Sequence, residues 1–231
     1  VVEMPGVPTT VIKGRGRQRS FDLARLTPAG EKLLNAASDL FYARGIHAVG
    51  VDSIAETAGT TKKTLYDRFG SKDVLVALYL QRRAERWQRF VEEHVAAAEA
   101  DGDGHGVGVS EKAARRVLVV LHALGEWNST LSRGCAFVNA FAEIGGDDHP
   151  GIAVIRAEKE WTRELYARLL REAGIDDPEI DGLAAQLAML QEGALMMWTA
   201  GGMPDAIDYA CDAARRLLST AAGEKDGGSA P

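Results

Sequence analysis

The sequence of 231 residues predicts an all-α protein, with an N-terminal three-helix helix-turn-helix domain and a larger helical body. Three observations predict it. Apolar residues recur at helical spacing, and no convincing strand pattern interrupts them. The breaks between segments fall at capping residues, glycines and prolines. Finally, Ala55, Gly59 and Leu65 within VDSIAETAGTTKKTLYDRF, residues 51–69, keep the spacing of a helix-turn-helix. Small Ala lets two helices cross closely, Gly takes a left-handed turn without steric cost, and Leu65 wedges the second helix against the first.

Residues 1–26 read as a flexible basic arm with Pro5, Pro8, Gly6, Gly14 and Gly16 and the cluster Lys13, Arg15, Arg17 and Arg19. Two readings of the arm stand side by side: a solvated tail, or an arm adding phosphate or minor-groove contacts. Thr27 and Pro28 then open the first helix, as N-cap and first helical residue. Leu33, Ala37, Leu40 and Phe41 form its inward stripe, and Arg44-Gly45 ends it. Residues 46–50 connect to the helix-turn-helix. Its first helix carries Ile54, Ala55 and Ala58 inward and stops at Gly59; its second turns Leu65 and Phe69 inward. The solvent side of that second helix carries Lys62, Lys63, Thr64, Tyr66 and Arg68, which are donors and a flat aromatic suited to phosphates and base edges. Tyr66 has an alternative use, packing on the domain surface.

Ser71 caps a long helix running to about residue 98, with Asp73 placed favourably in its first turn. Residues 101–108, DGDGHGVG, read as a flexible link; the calcium-loop alternative lacks a bidentate Glu at the right distance. Helices then follow over about 110–127, 135–144 and 150–173, then 178–199 and 204–221, before a polar tail at 223–231. The domain reading is therefore arm 1–26, helix-turn-helix DNA-binding domain 27–75, helical body 76–222, and tail 223–231.

Composition narrows the class. The chain is 46% hydrophobic, enough for a core, while no apolar run reaches the ~20 residues that span a bilayer. No apolar segment follows the basic N-terminus, and Cys135 and Cys211 lack metal-ligand spacing. The histidines show no paired spacing for a metal either. A cytoplasmic protein with neither metal nor cofactor is the expectation. Residues 1–72 hold 11 Lys/Arg against 7 Asp/Glu, a net of +4, and the remainder holds 16 against 26, a net of −10. A basic head on an acidic body suggests that one end meets a polyanion.

With GVDSIAETAGTTKKTLYDRFGSKDVL at 50–75, this order of elements resembles the TetR family of bacterial transcription regulators. The resemblance implies a homodimer on double-stranded DNA with a palindromic operator, the second short helix of each subunit in a major groove. It also implies a four-helix interface from the last two helices, and a small-molecule effector that releases DNA. Carried over, Thr61 caps the recognition helix, Lys62, Lys63 and Thr64 reach bases and phosphates, and Tyr66 and Lys72 contact phosphate. Two positions depart from the family pattern: Lys63, often small, and Asp67, often a donor. A carboxylate near phosphate is unfavourable, so Asp67 is expected to turn to Arg68 or to accept from a cytosine amino group.

In the 178–199 helix, Leu183, Leu187, Leu190, Ala194 and Trp198 mark one face, and Ala185, Met189, Glu192 and Met196 another; small Ala184, Ala188 and Gly193 allow close approach. A helix apolar on two faces must bury both, one against its own body and one against a partner. Ile207, Ala210, Cys211, Ala214, Leu217, Leu218 and Ala221 stripe the last helix; it is read either as single-chain core or as the rest of that interface, and the resemblance favours the interface. Trp127, Phe137, Asn139, Trp161, Met189, Glu192 and Met196 are candidates for a mostly apolar ligand pocket, although core packing accounts for each alone. Glu192 suggests selection of a cationic group. The leading reading is a ligand-responsive regulator, most simply a repressor. A ligand-independent architectural DNA-binding protein fits the acidic body poorly, and a small helical enzyme finds no nucleophile–His–acid set, phosphate loop or metal motif.

Overall fold

The computed structural model describes residues 10–14, 17–21, 23–100, 108–129, 133–146, 148–175 and 180–223. The order is β1 (Thr10–Gly14), β2 (Arg17–Phe21), a 3-10 turn (Leu23–Arg25), α1 (Pro28–Arg44), α2 (Val51–Thr57), α3 (Lys62–Phe69), α4 (Lys72–Ala100), α5 (Val109–Asn128), α6 (Ala136–Ile144), α7 (Pro150–Glu172), α8 (Ile180–Thr199) and α9 (Ala206–Gly223). The DGDGHGV segment at 101–107, the tail at 224–231, and residues 1–9, 15, 16 and 22 of the arm lie outside the described residues. Among the described residues, no helix is long and apolar enough to cross a membrane.

The fold is all-α apart from one correction in the arm. β1 and β2 pair antiparallel, Thr10 opposite Phe21 and Gly14 opposite Arg17. The arm was expected to lack structure because glycines and prolines punctuate it. The β-branched run Thr10-Val11-Ile12 carried the overlooked signal, since such residues favour an extended backbone.

By packing, the chain divides into two units: residues 1–86 with 136–158, and residues 87–135 with 159–231. The first unit is larger than the expected head. It follows α4 to Arg86 and takes in α6 and the opening turns of α7.

In the first unit α1, α2 and α3 pack on one another. Thr27 caps α1 by accepting the Gly30 backbone N–H at 3.3 Å, and Ser71 caps α4 by accepting that of Val74 at 3.1 Å. Leu33, Leu34, Ile54, Leu65, Leu75 and Leu78 are fully buried, and the Phe41 and Tyr79 rings lie 5.8 Å apart. Arg82 of α4 donates to Asn35 (2.6 Å) and Glu31 (2.8 Å) of α1. Gly151 sits where a Cβ would fall 2.9 Å from Ile144 Cδ1 and 3.2 Å from Leu80 Cδ1, so a larger residue there would make those side chains give way.

In the second unit α9 packs on α5 and α8. Val91, Val117, Leu121, Leu169, Leu170, Leu187 and Leu218 are core. Buried Tyr166 donates its hydroxyl to buried Gln191 Oε1 at 2.7 Å, so each polar group satisfies the other. Burial also pushes the Tyr166 phenol well above its ordinary pKa.

Two expectations about the last helices resolve differently. Along α8, Leu183, Leu187 and Ala194 are buried and Leu190 and Trp198 half-buried, while Met189, Gly193 and Met196 are exposed; the two faces separate as predicted. The α9 stripe was expected at an interface between subunits. Ile207, Ala210, Cys211, Ala214 and Leu218 are instead buried within their own unit, because that face is needed to cover α5 and α8.

Candidate nucleic-acid interface

The turn between α2 and α3 is set by backbone hydrogen bonds. Gly59, at φ +62°, donates to the Glu56 carbonyl at 3.0 Å, and Thr60 donates to the Ala55 carbonyl at 2.9 Å. This pair of bonds closes a helix in a Schellman motif, and the positive φ explains the glycine. Ala55, 4% exposed, leaves the room the crossing needs. Thr61 then opens α3: its backbone is extended, and its Oγ1 accepts the Thr64 backbone N–H at 3.1 Å. The two hydroxyls lie 2.9 Å apart. Gly70, at φ +79°, ends α3.

With Leu65 and Phe69 buried, helical geometry leaves Lys62, Lys63, Tyr66, Asp67 and Arg68 exposed and Thr64 half-buried on one short helix. Tyr66 is 42% exposed, so its ring is available rather than packed away. Lys62 donates to Asp52 of α2 at 3.1 Å, and Lys63 donates to Asp67 at 2.8 Å. The carboxylate of Asp67 holds the Lys63 ammonium above its ordinary pKa. Both pairs are solvent-exposed, and such pairs contribute only about 0–1 kcal/mol, so either lysine exchanges its carboxylate for another anion at little cost.

Lys72 differs from its expected role. Its ammonium donates to the Ile46 carbonyl at 2.6 Å and lies 5.8 Å over the Phe41 ring. Desolvation there lowers its pKa. It ties the start of α4 to the α1–α2 connector rather than standing free on the surface. Asp67 takes Lys63 as a partner, a pairing that the i, i+4 spacing makes visible in the sequence.

The ligand candidates are divided between the two units. Phe137, buried, and Asn139, half-buried, belong to the first unit; Trp127, Trp161, Met189, Glu192 and Met196 belong to the second. Trp127 packs on Trp87 (5.6 Å) and Phe90 (5.1 Å). Trp161 is half-buried against the core, and Met189 and Met196 are 65% and 47% exposed. Glu192 accepts from Lys159 at 2.6 Å, with Cys135 Sγ 3.9 Å from the same ammonium. Its charge is therefore already compensated by α7, through a pairing 33 residues apart that local spacing does not reveal.

Residues 33–78 match the family model for bacterial regulatory proteins of the tetR family. Over 70 residues the chain is 44% identical to the HTH-type transcriptional activator FasR of Mycolicibacterium smegmatis, covering 30% of this chain and 32% of that one. It is 28% identical over 150 residues to an HTH-type transcriptional regulator of Mycobacterium tuberculosis, covering 65% of each. The chain thus spans about a third of the first relative and just under two thirds of the second. With the regulator TtgR of Pseudomonas putida it shares 28% identity over 187 residues, covering 78% of this chain and 84% of that one. Among solved structures, a TetR-family transcriptional regulator from Streptomyces coelicolor superposes with a TM-score of 0.63 at 28% identity, covering 85% of this chain and 95% of that one. The turn geometry, the capped and cationic α3, the family-model match and these likenesses all point the same way: residues 33–78 form a helix-turn-helix domain like that of the TetR family of bacterial regulatory proteins.

Proposed function

We propose that this protein is a homodimeric, sequence-specific DNA-binding transcriptional regulator that places α3 in the major groove. The carrying observation is the exposed face of α3, held rigid by the Thr61 cap and the buried Leu65 and Phe69. Lys62, Lys63 and Thr64 at its N-terminal end suit base edges and phosphates, and Tyr66 and Arg68 suit the backbone. Lys72 acts by positioning α4 against the connector. Dimerisation uses the exposed face of α8 with Met189, Gly193 and Met196, and two-fold symmetry of the protein then asks for a palindromic site. A mostly apolar small molecule bound in the helical body lowers DNA affinity, which makes the protein a repressor relieved by its effector. A tenfold loss needs only about 1.4 kcal/mol of differential affinity between the two states. The neutralised Glu192–Lys159 pair favours an uncharged effector over a cation.

Selection of DNA from a random pool, followed by titration at ~150 mM salt, tests the reading. A palindromic sequence bound at least about 10³-fold more tightly than random DNA is expected. Equal binding to both would refute it.

A further inference from the structure

We propose that Glu143 is a positioning residue for DNA recognition: by clipping the α1–α2 connector to the end of α6, it fixes the orientation in which α2 and α3 are presented to DNA. The inference rests on the DNA-binding reading above and adds a determinant that lies outside the helix-turn-helix. Glu143 sits in the last turn of α6, 96 residues beyond His47 in sequence, and α6 falls in the same unit as α1, α2 and α3.

The clip is reciprocal. One carboxylate oxygen of Glu143 accepts the His47 backbone N–H at 2.7 Å. In return, the His47 ring Nε2 meets the Glu143 backbone carbonyl. A carbonyl can only accept, so that nitrogen carries the proton and donates. The last carbonyls of a helix lack intrahelical partners, and the His47 ring supplies one to α6. The other carboxylate oxygen lies against Gly45, where a Cβ would fall 2.9 Å from it, and the φ of +92° at Gly45 also favours glycine. Lys72 of α4 holds the residue between them, donating to the Ile46 carbonyl at 2.6 Å. Desolvation lowers the Lys72 pKa, while Asp73 and Glu143 act to raise it, so Glu143 also bears on this second hold. Residues 45–47 are thus fixed by side chains from two helices outside the helix-turn-helix. The chain enters α2 at Val51, four residues after His47, which leaves little slack between the clip and the helices that read DNA.

Position and charge predict opposite outcomes. Binding to random DNA is mostly electrostatic and tolerates a loosened head, whereas base-edge hydrogen bonds demand a fixed one. Glu143 is an anion, so an effect of its charge alone would make its removal tighten binding to every sequence.

The test uses the full chain, DNA selected from a random pool, and random DNA at ~150 mM salt, below the unfolding transition of each variant. Glu143→Ala should lower the ratio of selected to random affinity about tenfold, with random binding changed less than about twofold. The His47 amide should exchange with solvent at least about tenfold faster. Glu143→Gln keeps an acceptor without the charge and should restore the ratio to within about threefold of wild type. His47→Ala deletes only the ring bond, from an exposed position, and should lower the ratio about threefold; it decides the matter if Glu143→Ala does not fold. A wild-type ratio in Glu143→Ala overturns the proposal, as does one in His47→Ala when Glu143→Ala does not fold. Parallel tightening on both DNAs, or a Gln variant as impaired as the Ala variant, also overturns it. Wild type without specific DNA binding overturns both this inference and the reading of α3; unchanged variants of a DNA-binding wild type overturn this inference alone.

Discussion

Thr61 Oγ1 accepts the backbone N–H of Thr64 at 3.1 Å, and this bond starts α3. The preceding residue, Thr60, has the same side chain in a different situation: its Oγ1 is buried without a hydrogen-bond partner in the turn. The two neighbours should therefore respond differently to loss of the hydroxyl. Thr61→Ala removes a cap and should cost about 0.5–2 kcal/mol in urea unfolding. Thr60→Val removes an unsatisfied hydroxyl at constant shape and should leave stability unchanged or raise it by up to about 1 kcal/mol. Equal losses at both positions would contradict this assignment of roles.

On the exposed side of α3, Asp67 both neutralises Lys63 and sets a carboxylate near the path proposed for DNA. Asp67→Asn should tighten binding to random and selected DNA alike, by about two- to fivefold at an ion pair this exposed. Lys63→Ala should instead relax preference at one or two base pairs, costing about 1–3 kcal/mol there. Anisotropy titrations against single-base variants of the selected site read both effects; weaker binding by Asp67→Asn would contradict the first.

Acid should loosen the first unit through His149. Its Nδ1 accepts the Gly151 backbone N–H at 3.0 Å, which favours the neutral ring, and Asp73 lies 3.7 Å from its Nε2. Desolvation lowers its pKa most, Asp73 acts to raise it, and His47 to lower it. A depressed folded pKa contributes stability that is fully present above the unfolded value of about 6.5 and is lost as pH falls through the folded pKa. Unfolding followed from pH 7 to 5 should show a loss that His149→Gln reduces. A variant with the wild-type pH slope would remove His149 from the account.

Two substitutions separate dimerisation from folding. Leu218 is fully buried within its own unit, so Leu218→Arg should abolish folding through an unpaired buried charge. Met196 is exposed on α8, so Met196→Lys should leave the helical content and unfolding midpoint near wild type while yielding a monomer with weakened binding to the palindromic site. Analytical ultracentrifugation at micromolar concentration distinguishes them. A Met196→Lys dimer as stable as wild type would move the interface elsewhere.

By itself the sequence determined the helix-turn-helix and most helix ends. These are local matters: Gly59 and Gly70 take positive φ, Thr27, Thr61 and Ser71 cap the helices that follow them, and Leu65 and Phe69 share one face. Each is fixed within one or two turns of chain, so periodicity and capping chemistry expose it. Tertiary structure alone decided which polar groups are spent. Lys72 reaches a carbonyl 26 residues back, Lys159 neutralises Glu192 33 residues on, and Tyr166 satisfies Gln191 25 residues on. It also decided that the α9 stripe covers α5 and α8 rather than a second chain, and that Thr10–Gly14 finds a partner strand. An apolar stripe or a lone charge states that something must meet it; only the packed chain says what, because partners distant in sequence are brought together by topology and not by local propensity.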